Sequence, residues 1–129
     1  MELPLNILIV EDDSAMAQMC AKLIRRRGHS VIIAESSQDA LAIVKAGRDV
    51  DAVLSDIQMP QMSGIELLTH LREFNSKLPV ILMTGYTNLI GAAEALALGA
   101  ADYLSKPFNA ETLIGSLERS SLKRVPEHA

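Results

Sequence analysis

The stretch Asp51-Ala52-Val53-Leu54-Ser55-Asp56-Ile57-Gln58-Met59-Pro60 carries an apolar run to a carboxylate and then into a loop with Pro60, Ser63 and Gly64. A short apolar run closed by turn-forming residues reads as a buried parallel strand. Open α/β sheets bind their ligands outside the carboxyl ends of such strands, which makes Asp56 the first candidate for chemistry. Other runs end in the same way. Ile7-Leu8-Ile9-Val10 leads into Glu11-Asp12-Asp13, Val80-Ile81-Leu82-Met83 leads to Thr84, and a further run ends at Lys106-Pro107.

Outward from that strand, apolar runs alternate five times with helical periodicity, the pattern of βα units feeding a parallel sheet. A strand from about Asn6 to Val10 precedes a helix from about Ser14 to Arg27, with Met16, Cys20, Leu23 and Ile24 at helical spacing and Gly28 as its stop. The second strand, Val31 to Ala34, is followed by Ser36 and Ser37 as candidate N-caps and by a helix carrying Ala40, Leu41 and Val44 that closes at Gly47. After Gly64 a helix sets Ile65, Leu68 and Leu71 on one face and ends near Phe74, and Pro79 opens the strand Val80 to Thr84. Gly85-Tyr86-Thr87 then leads to Asn88, the expected cap of a helix running to about Leu98 and stopped by Gly99. Ala92, Ala93, Ala95 and Ala97 leave that helix small and apolar nearly all round, so it either packs on two sides or presents a face to a partner. The strand Ala101 to Ser105 and a helix from about Asn109 to Leu122, packing Leu113, Ile114 and Leu117, complete the pattern.

The 129 residues are expected to form one α/β domain, with a core over 6–122 and a short tail over 123–129. A composition of 49% hydrophobic and 22% charged residues fits a folded globular chain, and the scarcity of aromatics makes its core aliphatic. The lone Cys20 cannot close an internal disulfide and reads as a small core residue of a protein in a reducing compartment. Neither a leader over Met1 to Val10 nor a membrane-length apolar run is present, so the expectation is a soluble, cytoplasmic protein without membrane contact. A net charge of −4 and a pI of about 5.3 disfavour direct nucleic acid binding. Arg25-Arg26-Arg27 and Lys123-Arg124 read as solvated helix ends, where positive charge is favourable.

Crossovers of one hand bring the carboxyl ends of five strands to one edge, so Glu11, Asp12, Asp56, Thr84 and Lys106 converge although far apart in sequence. Three crowded carboxylates repel, and a hard divalent cation relieves that charge. Magnesium suits best, since it takes one or two carboxylates, keeps waters and leaves positions for phosphate oxygens. Lys106 adds a mobile positive charge and Thr84 a hydroxyl, which together are the charge-stabilising groups of phosphoryl transfer, with Asp56 as the nucleophile that forms an acyl phosphate. Singly, each residue has a plainer reading. Asp12 and Asp13 suit a helix N-terminus, Asp56 could cap its loop, Lys106 could be a surface lysine, and Thr84 an ordinary strand residue.

The segments Val10-Glu11-Asp12-Asp13, Ser55-Asp56-Ile57-Gln58-Met59-Pro60 with Gly64, Met83-Thr84-Gly85, and Gly99-Ala100-Ala101-Asp102-Tyr103-Leu104-Ser105-Lys106-Pro107-Phe108 resemble, in order, the receiver domain of two-component response regulators, over about Asn6 to Leu122. The resemblance implies a doubly wound (βα)5, flavodoxin-like domain, with a parallel sheet of order 2-1-3-4-5 and helices on both faces. It implies that Asp56 accepts phosphate from the phosphohistidine of a sensor histidine kinase or histidine phosphotransfer protein. Glu11, Asp12, Asp56 and the Gln58 backbone carbonyl would hold Mg²⁺, and Thr84 and Lys106 would contact the phosphoryl group. Thr84 and Tyr103 would form the switch that signals to an output protein or domain, and the Lys106-Pro107 bond would be cis. Glu11 stands where many members have Asp, and Gly85 stands where alanine is common, which loosens the loop after Thr84.

The rival readings lack their chemistry. A haloacid dehalogenase-type phosphatase needs a second acid two residues after its nucleophile, and that position is Gln58. Neither G-x-G-x-x-G in the first βα turn nor G-x-x-x-x-G-K-[ST] anywhere supports nucleotide binding. A degenerate receiver used only for docking is disfavoured by retention of all five site residues. The chain thus reads as a signalling switch and not as an enzyme acting on other substrates. Two peripheral residues tune that reading. Met19 falls near the rim of its helix, where it either meets a phosphodonor helix or is peripheral core. Tyr86 either shields the phosphoryl group, slowing self-hydrolysis, or points away from it.

Overall fold

The computed structural model describes residues 4–85 and 91–121. Within them the chain runs β1 (Asn6–Val10), α1 (Ser14–Arg26), β2 (Ser30–Ala34), α2 (Ser37–Lys45), β3 (Ala52–Asp56), α3 (Gly64–Phe74), β4 (Val80–Thr84), α4 (Ala92–Ala97), β5 (Asp102–Ser105) and α5 (Ala110–Ser120). All neighbouring strands pair in parallel, in the order β2-β1-β3-β4-β5. The doubly wound topology expected from the resemblance is therefore the one the chain adopts.

Period-two alternation along the strands sorts the side chains onto two faces. Ile7, Ile9, Leu54, Ile81 and Met83 pack on one face with Ala17, Cys20 and Ile24 of α1 and Leu113 and Leu117 of α5. Leu8, Val10, Val53, Val80 and Leu82 pack on the other with Ala40 and Val44 of α2, Leu67, Leu68 and Leu71 of α3 and Ala95 of α4. Burial on both sides is why the central strands read as continuous apolar runs rather than alternating ones.

Local chemistry sets the helix limits. The side chains of Asp13, Ser36, Ser63 and Asn109 accept the N–H groups of Met16, Asp39, Glu66 and Thr112, and Ser63 and Glu66 cap each other reciprocally. α1, α2 and α4 stop at Gly28, Gly47 and Gly99, whose φ values of +90°, +83° and +105° disfavour any residue with a Cβ. The amides that follow, of His29, Arg48 and Ala100, donate back to the carbonyls of Ile24, Ile43 and Ala95, completing Schellman turns.

Two expectations need correction. α4 begins at Ala92, with Gly91 at its N-cap and no side-chain cap bond. Tyr86, Thr87 and Asn88 lie outside the described residues, as do Leu122 and the tail. Of the two environments open for α4, packing on two sides is excluded: Ala95 is its buried residue, while Leu96 and the following Leu98 are 51% and 47% exposed. Short alanine side chains bring the helix to the sheet along a single line and leave the rest outside. α5 likewise ends at Ser120, where the extended backbone of Ser121 (φ −63°, ψ 145°) turns the chain away.

One close approach fixes the end of the central strand. Gly64 donates its N–H to the Ile57 carbonyl at 2.9 Å. A Cβ at Gly64 would run into the Asp56 carbonyl oxygen and come within 2.9 Å of Ile57 Cα, both backbone atoms that cannot swing away. Gly64→Ala is expected to destabilise the fold by about 1–3 kcal/mol. Urea unfolding should show a lower midpoint at unchanged slope, whereas an unshifted midpoint would mean that the loop yields without cost.

Candidate functional site

Parallel register aligns the strand ends that carry the polar residues. Val10 pairs with Ser55, Asp56 with Met83, and Thr84 with Ser105. Glu11 and Asp12 follow β1, Asp56 ends β3, Thr84 ends β4 and Lys106 follows β5, so all five lie along one edge. Lys106 Nζ donates to Asp56 Oδ2 at 3.0 Å and to Glu11 Oε1 at 3.2 Å. Glu11 Oε2 accepts the Asp13 N–H at 3.3 Å, and Asp56 Oδ1 accepts the Gln58 N–H at 3.1 Å. Carboxylate oxygens of Glu11, Asp12 and Asp56 come within 4.8 Å of one another, close enough to share one cation. Glu11, Asp56 and Thr84 are buried while Asp12 is exposed. The Lys106 amide donates to the Thr84 carbonyl at 2.8 Å, which locks the ends of β4 and β5 together, and the Lys106–Pro107 bond is cis. Asp13, adjacent to the acidic pair, is occupied as the N-cap of α1.

The chain that brings this acidic trio, lysine and threonine together has relatives among known proteins. Residues 7–118 match the response regulator receiver domain family. The chain belongs to that family. It is 38% identical over 121 residues to the response regulator protein FleR of Pseudomonas aeruginosa, covering 94% of this chain and 25% of FleR. It is likewise 38% identical over 116 residues to the transcriptional regulatory protein ZraR of Escherichia coli O157:H7, covering 90% of this chain and 26% of ZraR. The chain thus spans about a quarter of the length of these relatives. The receiver domain protein of Clostridium thermocellum superposes with a TM-score of 0.84 at 30% identity, over 92% of this chain and 94% of that one. As a response regulator receiver, the chain is a phosphorylation-based signalling switch.

Not every expected residue of this receiver sits in the acidic cluster. Tyr103 is half-buried on the face that packs α2, α3 and α4, opposite Leu82 in the register. Gln58 reaches the cluster through its amide. Met19 is 46% exposed, which agrees with a place at the rim of α1. Three neighbours of the acids had not been singled out. Ser14, Gln18 and Glu35 join Glu11 and Asp12 around a cavity of about 240 Å³. The rule that picked out Asp56 would have found Glu35, which directly follows the carboxyl end of β2. A shallower, more apolar depression of about 480 Å³, lined by Ile57, Gln58, Met59, Pro60 and Ser63, borders the loop after Asp56.

Burial pushes the Glu11 carboxyl up to about 7, and the Asp56 charge adds to the effect against the opposing pull of Lys106. For Lys106 burial works downward, but the hydrogen bond and charge of Asp56, then those of Glu11, outweigh it and hold the ammonium above its ordinary value. Burial, with the Glu11 charge behind it, also raises the Cys20 thiol to about 11, which makes it an inert core group.

Because the Glu11 value is raised from 4.5 to about 7, the folded protein binds more protons than the unfolded chain in that interval. Stability of the metal-free receiver should therefore lose a contribution as pH rises from about 4.5 through 7, on the order of a few kcal/mol. Glu11→Gln removes the ionisation. In chelator, the melting temperature of the variant relative to wild type should be higher at pH 8 than at pH 5. An equal difference at both would show that Glu11 carries no such strain.

Proposed function

We propose that this receiver takes a phosphoryl group from a phosphohistidine onto a carboxylate oxygen of Asp56 in a Mg²⁺-dependent reaction. Glu11, Asp12, Asp56 and the Gln58 backbone carbonyl would hold the ion, and the three carboxylates fit a hard cation because their oxygens lie within 4.8 Å of one another. When bound, Mg²⁺ neutralises charge on the carboxylates and on the transferring phosphoryl oxygens. The observation that carries the reading is Lys106 Nζ at 3.0 Å from Asp56 and 3.2 Å from Glu11.

Asp56 is held by two donors at the start. Gln58 N–H fixes Oδ1 and Lys106 fixes Oδ2, so both oxygens of the carboxylate are held in place. A carboxylate oxygen attacks phosphorus, the bond from phosphorus to the histidine nitrogen breaks, and the leaving imidazole takes up a proton. The product is an acyl phosphate with more negative charge than the carboxylate it replaces. The Lys106 ammonium is positioned to follow that charge, and the Thr84 hydroxyl to donate to a phosphoryl oxygen. Because the Lys106 amide is bonded to the Thr84 carbonyl at 2.8 Å, movement at one strand end is shared with the other. Tyr103 then changes its packing on the α4 side as the switch aromatic. The receiver promotes its own phosphorylation and hydrolysis in this way without acting on other substrates.

In the same reading the phosphodonor is a sensor histidine kinase or a histidine phosphotransfer protein, and the signal passes to an output protein or domain. The chain works as a single receiver domain in the cytoplasm, without touching nucleic acid or membrane itself. None of the described helices is long and apolar enough to cross a membrane.

Incubation with a small acyl phosphate, followed by intact-mass measurement, should add one phosphoryl group when Mg²⁺ is present and none in chelator. Asp56→Asn should abolish the adduct, and Lys106→Ala should reduce its yield by about tenfold or more, as for loss of a charge-stabilising donor. An adduct that survives Asp56→Asn, or that forms equally without a divalent cation, would sink the assignment.

A further inference from the structure

At the end of the sheet opposite the acidic cluster, His29 is 7% exposed and uses both ring nitrogens. Nδ1 accepts the N–H of Leu5 at 3.0 Å, and Nε2 lies 2.8 Å from Glu118 Oε2. An amide nitrogen can only donate, so Nδ1 must be bare and the ring hydrogen must sit on Nε2, aimed at the carboxylate. The protein's own backbone thus dictates the tautomer. Four parts of the chain meet here: Leu5 just before β1, His29 just before β2, Arg27 at the end of α1, which donates to Glu118 Oε1 at 3.2 Å, and Glu118 in the last turns of α5. The backbone around the ring is also tied, with Ser30 N–H donating to the Leu5 carbonyl at 2.8 Å and His29 N–H to that of Ile24 at 3.4 Å.

We propose that His29 is a proton-operated latch between the start of the sheet and the C-terminal part of α5. A proton added at Nδ1 sets two donors face to face and takes away the acceptor of a buried backbone amide. The same proton turns the contact of Nε2 with Glu118 into an ion pair, so the ring exchanges its bond to the sheet for a stronger one to α5. The charged groups that bear on the exchange are Glu118 from α5, which favours it, and Arg27 from α1, which opposes it while sharing the same carboxylate. At the head of β3, Asp51 accepts the Asn6 N–H at 2.7 Å and Asp49 accepts the Asn6 side chain at 2.8 Å, so both are bonded one residue along the chain from Leu5. The whole of β1 separates the latch from Glu11. Its operation does not depend on phosphoryl transfer at Asp56.

The test is a pH titration of the isotopically labelled chain by NMR. At high pH the ring nitrogens should show the hydrogen on Nε2. As the ring takes up its proton, hydrogen-exchange protection of the Leu5 amide, corrected for intrinsic exchange, should fall about tenfold, while that of Leu8 in the same strand stays constant. His29→Phe should leave Leu5 poorly protected and insensitive to pH. Should that variant fail to fold, Glu118→Gln offers Nε2–H a neutral acceptor: the tautomer should stay, and without the ion pair the loss of Leu5 protection should move to lower pH. A ring hydrogen on Nδ1 at high pH, Leu5 protection indifferent to the ring's titration, or a ring that gains no proton before the whole protein unfolds would each overturn the proposal.

Discussion

Lys106 holds two buried carboxylates that lie at the ends of strands with which β5 does not pair. It follows β5 at one edge of the sheet, yet its ammonium reaches Asp56 on β3 and Glu11 beyond β1. That reach passes the end of β4, the strand between, which carries the buried Thr84. It also requires a long flexible stem with a compact charge, which lysine supplies better than the planar fork of arginine. Two carboxylates buried side by side would be costly to ionise without the ammonium, as the elevated Glu11 value shows even in its presence. Strand order, small Thr84 and lysine together make an edge where negative charge is gathered under strain and held in reach of a mobile cation.

The alternation of apolar runs and helical stretches was enough to place the strands, since burial on both faces leaves such a run few other structures to form. Convergence of Glu11, Asp12, Asp56, Thr84 and Lys106 followed from the rule that parallel strands open their sites at carboxyl ends. α4 was less legible, because alanines score as apolar and helical without saying how many sides are covered. Its length and burial depend on how near the sheet lies, which is a tertiary matter. His29 was invisible for a related reason. A lone histidine between a helix stop and a strand carries no periodic signal, and its partners Leu5 and Glu118 lie 24 and 89 residues away. Polar pairs of that separation become visible only when the topology is known.

The helices flanking the site are anchored very unequally. α3 begins with Gly64 pressed against the Asp56 carbonyl, is closed by the Ser63–Glu66 capping box, and buries Leu67, Leu68 and Leu71. α4 has no side-chain cap and buries Ala95, while Leu96 and Leu98 stand half exposed beside it. Segments with few buried apolar contacts open at the lowest free energy.

That inequality gives the site a direction. In the proposed chemistry, charge added at Asp56 would have to be met by its surroundings, and on the α3 side the chain is packed so closely that a Cβ at Gly64 would strike the Asp56 carbonyl. On the other side, Lys106 is bonded to Thr84 through the main chain, and β5 leads from Tyr103 to Lys106 within three residues. Tyr103 packs in the same cluster as Ala95, the buried residue of α4. In the proposed switch, a pull on Lys106 would pass along β5 toward the most weakly held helix among the described residues. The proposed chemistry and the proposed switch are connected by this asymmetry: a closely packed, well-capped α3 side would keep the acceptor in place, and a loosely packed α4 side would yield when the charge on the acceptor changes.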